Sequence, residues 1–163
     1  MSKEKKQQLG VLGLVVALIV VLFGGVLFVG AASGWFDDPK VKLDAEYYAD
    51  GAEFMELTAG EYEGLVEAKK SFVVMVDQGG CTTADRLREY VTRYMTETGI
   101  LVYRMMFAEV KESSLHEKVK YYPSVAVVEK GVVRGYLRAD SDDDAGAYND
   151  YDTFEKWMKR ILQ

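Results

Sequence analysis

Residues 71–95 change from a strand pattern to a helix pattern across a single glycine turn. Residues 71–76 read SFVVMV, a continuous β-prone run that is typical of a strand covered on both faces. Gly79 and Gly80 supply the turn, and Cys81, the only cysteine of the chain, comes next at the start of a helical pattern. A thiol at that position faces the unpaired N–H groups of a helix N-terminus, which favour the thiolate. The sequence therefore places one candidate nucleophile at a strand–turn–helix corner.

The flanking residues alternate between the two patterns. Thr58 with Glu61 three residues later is a capping-box pattern, and Gly99 is suited to end the helix that follows Cys81. The predicted strands are 54–57, 71–76, 100–110, 124–129 and 132–139, the predicted helices are 58–70, 81–98, 113–122 and 153–162, and 140–152 is predicted to be a solvated acidic loop. Right-handed crossovers make the first strands parallel and leave an antiparallel hairpin at one edge.

This order resembles the thioredoxin fold over residues 54–162. Residues 58–70 resemble the first thioredoxin helix, and Cys81 falls at the position of the N-terminal, nucleophilic cysteine. The run YYPS at 121–124, followed by VAVVEKG, resembles the family's cis-proline loop and the hairpin after it. The resemblance implies an α/β thioredoxin-like fold, a central mixed sheet with helices on both faces. It also implies that Pro123 is cis and lies beside Cys81.

The chain departs from the thioredoxin pattern around its cysteine. Ala84 stands where the resolving cysteine of a C-x-x-C pair would be, and Thr82 and Thr83 replace the usual Gly-Pro. Ungapped counting puts Met75 at the place of the family's buried acid, although Asp77 lies nearby. Without a second thiol, dithiol reductase chemistry is in doubt, while the fold prediction is unaffected.

Roles for the predicted site follow from the resemblance and from the helix terminus. In the family, the backbone of the residue before the cis-proline pairs with a bound peptide, and here that residue is Tyr122. The predicted set is Cys81 as catalytic nucleophile, Gly80, Thr82, Tyr122 and Pro123 as substrate- or peptide-binding residues, and Thr83 and Ala84 as helix-terminus support for the thiolate.

Two functions from different classes stay open. The first is monothiol thiol–disulfide exchange or redox sensing through Cys81, with a protein or peptide thiol or disulfide as partner. The second is a non-catalytic adaptor that binds an envelope or secreted protein through the cis-proline groove. In that case Cys81 is an inert small hydrophobe. The protein is an enzyme only under the first hypothesis.

The N-terminal residues predict a membrane anchor. Residues 9–32 are 24 residues without a charge, and as a helix of about 36 Å they would cross a hydrocarbon core of about 30 Å. Lysines precede this block and Asp37 and Asp38 follow it, so the N-terminus is predicted to be cytoplasmic. The predicted organisation is a cytoplasmic tail at 1–8, a single transmembrane helix at 9–33, a juxtamembrane spacer at 34–52 and an extracytoplasmic thioredoxin-like domain at 53–163. A cleaved signal peptide is the competing interpretation, but its apolar core would be shorter.

Charge and residue spacing argue against other partners. Residues 37–163 carry 17 lysines and arginines against 25 aspartates and glutamates, a net charge of −8 that disfavours nucleic acid. The acidic run 140–152 has Ala145 and Tyr151 where a calcium loop needs glycine and glutamate. The lone His116 has no His/Cys cluster around it for zinc and is predicted to be solvated. We therefore expect no metal and no cofactor.

Overall fold

The structure is a computed structural model that describes residues 40–48 and 53–163. The predicted cytoplasmic tail 1–8 and transmembrane helix 9–33 lie outside the described residues. Among the residues that are described, none belongs to a helix both long and apolar enough to cross a membrane.

Five strands form one mixed sheet in the order β1-β3-β2-β4-β5. They are β1 (Met55–Glu56), β2 (Phe72–Asp77), β3 (Val102–Met106), β4 (Ser124–Glu129) and β5 (Val132–Tyr136). The strands β1, β3 and β2 are parallel, whereas β4 is antiparallel to β2 and β5 is antiparallel to β4. The predicted mixed sheet with an antiparallel hairpin at one edge is confirmed.

The helices begin and end on recognisable caps. They are α1 (Ala59–Glu67), α2 (Thr82–Thr98), α3 (Phe107–Lys111), α4 (Leu115–Lys118), α5 (Asp142–Ala145) and α6 (Tyr151–Ile161), with short 3-10 turns at Ala45–Tyr47 and Gly146–Tyr148. The Thr58 hydroxyl accepts the Glu61 N–H at 3.3 Å, and the Glu61 carboxylate accepts the Thr58 N–H at 2.9 Å. Gly99 ends α2 with φ 70 and donates its N–H to Met95 O at 2.8 Å. The predicted capping box and glycine stop are both confirmed.

The central strand β2 is buried along its whole length. The Phe72 ring packs edge-on against Tyr62, the buried tyrosine of α1, with centroids 5.9 Å apart. Asp77 pairs instead with Arg88 of α2. Because side chains alternate along a strand, positions 72 and 77 point to opposite faces. The helices α1 and α2 therefore cover opposite faces of the sheet.

Several predicted element boundaries are wrong. The helix predicted at 113–122 ends at Lys118, and the strand predicted at 132–139 ends at Tyr136. The strand predicted at 100–110 ends at Met106 because its pairing with β2 ends there, opposite Asp77, and Phe107 begins α3. The loop predicted at 140–152 contains α5 and a 3-10 turn. Its Asp144 is buried rather than solvated and accepts the backbone N–H of Arg138 at 3.0 Å.

Residues 40–48 pack into the domain, although the sequence placed them in the spacer 34–52. Val41, Leu43 and Tyr47 are buried. Val41 donates its N–H to Ile161 O at 2.7 Å and accepts the N–H of Gln163 at 3.0 Å. This bridge joins the segment to the C-terminal end of the chain.

An ion pair at the end of β2 should contribute strongly to stability. The Asp77 side chain is 2% exposed and accepts hydrogen bonds from Nε and Nη2 of Arg88, each at 3.0 Å. Asp77→Asn removes the buried counter-charge of a guanidinium that is 30% exposed and keeps Asp85 as a partner, so we expect the free energy of unfolding to fall by about 2 kcal/mol. Urea unfolding of the full-length chain, followed by circular dichroism, measures the change.

The matched control is Glu46→Gln, which removes an exposed partner of Lys70 at 3.1 Å. An exposed pair of that kind is worth less than about 1 kcal/mol. Equal losses in the two variants would show that the Asp77 pair has no special role.

Candidate functional site

The end of β2 delivers Cys81 to the N-terminus of α2. After Asp77 the chain turns at Gly79 and Gly80, and Gly80 has φ 76, a left-handed conformation that side chains disfavour. Cys81 is then the extended N-cap residue of α2, and its carbonyl accepts the N–H of Asp85 at 3.0 Å. The side chain is half-buried. The local sequence thus places a partly accessible thiol at the positive end of a 17-residue helix.

The helix terminus lowers the pKa of the Cys81 thiol below its ordinary value. The main cause is the backbone N–H of Ala84, followed by that of Thr83, and the Thr83 hydroxyl adds to the effect. Partial burial and the negative charge of Asp85 act in the opposite direction. The Cys81 side chain makes no regular N-cap hydrogen bond. The N–H groups of Ala84 and Thr83 nevertheless lie at the N-terminus of α2, where they favour the thiolate. Thiolate chemistry is therefore available at a lower pH than for a free cysteine.

An open groove of about 340 Å³ lies beside the thiol. Its lining comprises Cys81, Thr83, Tyr122, Pro123, Ala139, Ala145, Tyr148 and Asn149. Four of the predicted site residues therefore share one surface. The others lie around it: Gly80 and Thr82 are exposed on either side of Cys81, and Ala84 is fully buried below.

The wall opposite Cys81 is formed by the Tyr122–Pro123 loop. The Tyr122–Pro123 peptide bond is cis, as the resemblance implied. The Tyr122 ring packs against Phe107 with centroids 4.7 Å apart, and its hydroxyl donates to Val119 O at 2.8 Å. His116 Nδ1 lies 3.2 Å from the same hydroxyl. Exposed His116 thus contacts the wall from outside, a contact that the sequence did not predict.

Sequence reasoning missed the side of the groove that follows β5. Ala139, Ala145, Tyr148 and Asn149 all come from the segment predicted to be a solvated acidic loop or from its edge. The available signal was Ala147 and Tyr148, two apolar residues within an acidic run, and both are buried. Their partners are distant in sequence, so no local pattern revealed them.

The acid at the end of β2 is used in an ion pair. Asp77 pairs with Arg88 and lies 3.8 Å from Arg104. Met75, which ungapped counting put at the place of the family's buried acid, is fully buried. Within 40–48 and 53–163, no three His, Cys, Asp or Glu side chains converge in an arrangement that could hold a metal ion.

Comparison with known proteins supports the fold. The sequence matches no family model and no curated protein. A mutant thioredoxin from Halobacterium salinarum aligns over 71% of this chain and 96% of its own, with 13% identity and a TM-score of 0.51. The reduced thioredoxin pre-protein of Schistosoma mansoni aligns over 68% of this chain and 99% of its own, with 16% identity and a TM-score of 0.51.

A third structure, the short form of thioredoxin f from spinach chloroplasts, aligns over 69% of this chain and 96% of its own. Its identity is 13% and its TM-score 0.50. At such identities the likeness concerns the fold. The chain therefore has a thioredoxin-like α/β fold with a single cysteine.

The lowered pKa of Cys81 predicts the pH dependence of its alkylation. The rate of reaction with iodoacetamide follows the thiolate fraction, so its midpoint should lie below that of a free thiol, about 8.5. Mass spectrometry of the full-length chain across a pH series gives this midpoint.

The same chain unfolded in urea is the control, because unfolding removes the helix terminus and should return the midpoint to that of a free thiol. A native midpoint equal to or above the unfolded one would contradict the prediction.

Proposed function

We propose that this protein carries out monothiol thiol–disulfide exchange with protein or peptide partners, with Cys81 as the lone nucleophile. The observation that carries the proposal is a half-buried thiol, with its pKa lowered by the N–H groups of Ala84 and Thr83, that opens onto a groove. The groove gives a polypeptide a surface to lie on beside the sulfur. Tyr122 and Pro123 are proposed to bind it.

The first step needs only the residues at the corner. The Cys81 thiolate attacks one sulfur of a partner disulfide, a new S–S bond forms between them, and the partner's own S–S bond breaks. The second partner sulfur leaves as a thiolate and takes a proton from water. Thr83 and Ala84 stabilise the attacking thiolate through their N–H groups. With a peroxide as oxidant, the same thiolate would form a sulfenic acid.

The second step needs a thiol from elsewhere. In a C-x-x-C protein the second cysteine attacks the mixed disulfide and releases the partner. Here the corresponding position is Ala84, which is buried with no exposed surface. A thiol of low molecular mass or of another protein must therefore attack the mixed disulfide. Until then the partner stays covalently bound to Cys81.

This two-step scheme predicts the behaviour of two variants. Wild-type protein mixed with a peptide disulfide should accumulate the Cys81–peptide adduct, and Cys81→Ser should form none. Ala84→Cys supplies a resolving thiol and should shorten the lifetime of the adduct by at least about tenfold. Intact-mass measurement over time follows the adduct in each case.

Ala84→Ser is the matched control, since serine adds a similar side chain without a thiol and should leave the lifetime unchanged. Adduct formation by Cys81→Ser, or an unaltered lifetime in Ala84→Cys, would contradict monothiol exchange.

The adaptor hypothesis is the alternative, and the alanine at position 84 favours it. An adaptor needs the groove but not the thiol. Binding of a peptide partner would then be unchanged in Cys81→Ser and lost when a charge is placed at Tyr122, for example in Tyr122→Asp. The pair of variants thus separates exchange from simple binding.

We also propose that residues 9–33 anchor the protein in a membrane, with residues 53–163 on the extracytoplasmic side. The support is the uncharged block of 24 residues with lysines before it and aspartates after it. A protease added outside intact cells should then degrade the domain in the full-length chain, and immunoblotting shows the loss. Full protection in intact cells, with degradation after lysis, would refute this orientation.

A further inference from the structure

A buried tyrosine supports the groove from the side that follows β5. The Tyr148 side chain belongs to the 3-10 turn Gly146–Tyr148 and is 6% exposed. Its hydroxyl lies 2.9 Å from Pro123 O and 2.9 Å from Leu137 O. Its single O–H proton is shared between these two carbonyls in a three-centre hydrogen bond, which joins the cis-proline loop to the end of the hairpin.

The two carbonyls differ in how much they depend on that hydroxyl. Leu137 O also accepts the Ser124 hydroxyl at 2.7 Å. Among the hydrogen bonds of residues 40–48 and 53–163, Pro123 O accepts only from Tyr148. A buried carbonyl without a donor is unfavourable, so Tyr148 should restrain Pro123 more than Leu137.

The segment that carries Tyr148 is itself fixed at both ends. On one side, Asp144 accepts the N–H of Arg138 at 3.0 Å. On the other, Arg86 of α2 donates to Asn149 Oδ1 at 3.0 Å and to Tyr148 O at 3.4 Å. Arg86 lies just after the first turn of α2, the helix whose N-cap residue is Cys81. Tyr148 is therefore tied to the thiol's helix and to the opposite wall of the groove.

Burial, with the nearby Asp144 as a smaller cause, raises the pKa of Tyr148 above its ordinary value. The hydroxyl consequently stays protonated and able to donate throughout the pH range in which Cys81 ionises. The contact to Pro123 should therefore not change with pH over that range.

We infer that Tyr148 is a positioning residue of the Cys81 site. Its hydroxyl holds the Pro123 carbonyl, and with it the Tyr122–Pro123 wall, in the place that a polypeptide disulfide needs beside the thiol. This inference rests on the proposed exchange function. A polypeptide must touch the wall and the sulfur together, whereas a small disulfide needs only the sulfur.

The test is Tyr148→Phe in the full-length chain, with two disulfides compared. The rate of adduct formation with a disulfide-bonded peptide should fall about tenfold, because the wall is displaced by a fraction of an ångström. The rate with cystamine and the pH midpoint of alkylation should stay within about twofold, because the helix terminus is untouched. A general loss of folded structure would lower the rates of reaction with the peptide disulfide and with cystamine together.

Two control variants remove hydroxyls nearby. Tyr151→Phe deletes the hydroxyl that donates to Glu97 and makes no contact with Pro123. Ser124→Ala deletes the other donor to Leu137 O. Both variants should react with the disulfide-bonded peptide at the wild-type rate. If either loses it as Tyr148→Phe does, the role of the Pro123 contact is refuted.

A measurement without thiol chemistry separates this inference from the proposed function. Amide hydrogen exchange at Ser124, which pairs with Val76 of β2, should become at least about tenfold faster in Tyr148→Phe and stay unchanged in Tyr151→Phe. If the wild-type protein forms no adduct, the proposed thiol–disulfide exchange fails. Faster amide hydrogen exchange in Tyr148→Phe would still show that Tyr148 positions the loop. Unchanged hydrogen exchange, or equal slowing with peptide and cystamine, would overturn the inference.

Discussion

The ion pair between Asp77 and Arg88 joins the two ends of the corner that carries Cys81. Asp77 is the last residue of β2, and its side chain is 2% exposed, so its charge would be costly without a partner. Arg88 binds it through Nε and Nη2, each at 3.0 Å, and such a two-point bond fixes direction as well as distance. The chain between these residues contains the glycine turn and Cys81. The position of the thiol therefore depends on this pair.

The same arginine also links the first turn of α2 to the sheet. Arg88 Nη1 donates to Asp85 Oδ1 at 3.0 Å, and the N–H of Asp85 donates to Cys81 O. Asp85 is the acid whose charge opposes ionisation of the thiol. Its pairing with Arg88 places a positive charge beside it. The N–H groups of Ala84 and Thr83 thus belong to a helix end that is fixed to β2. The thiolate of Cys81 is stabilised by these N–H groups and by the positive charge of Arg88 beside Asp85.

The parts of the site that the sequence could predict are those with local causes. The apolar run of β2, the turn at Gly80, the helix after Cys81 and its stop at Gly99 are each determined by neighbours within a few residues. The segment from Ala139 to Asn149 is different. Tyr148 reaches a carbonyl 25 residues away, so its burial has no local pattern. An acidic composition then suggests a solvated loop, although Asp144 is buried against Arg138.

Residues 40–48 show the same limit at the other end of the domain. Val41 is buried because it bridges Leu162, at the far end of the chain, and Tyr47 because it packs against Phe72 and Tyr103. Two alternating apolar residues after a proline are too short a pattern to predict such contacts. Non-local pairing, rather than weak propensity, is what hid both segments.

With a single thiol at the site, the groove rather than a second cysteine would control how long a partner stays bound. In a dithiol protein the second cysteine limits how long a partner stays bound. Under the proposed exchange function, Ala84 sets no such limit, and the adduct would last until an outside thiol reaches the sulfur. Cys81 is half-buried, and the groove beside it is walled by Tyr122 and Tyr148. A polypeptide lying there would cover the sulfur and slow its own release. Under the proposed exchange function, the walls of the groove would therefore determine both which partner reacts with Cys81 and how long that partner stays bound.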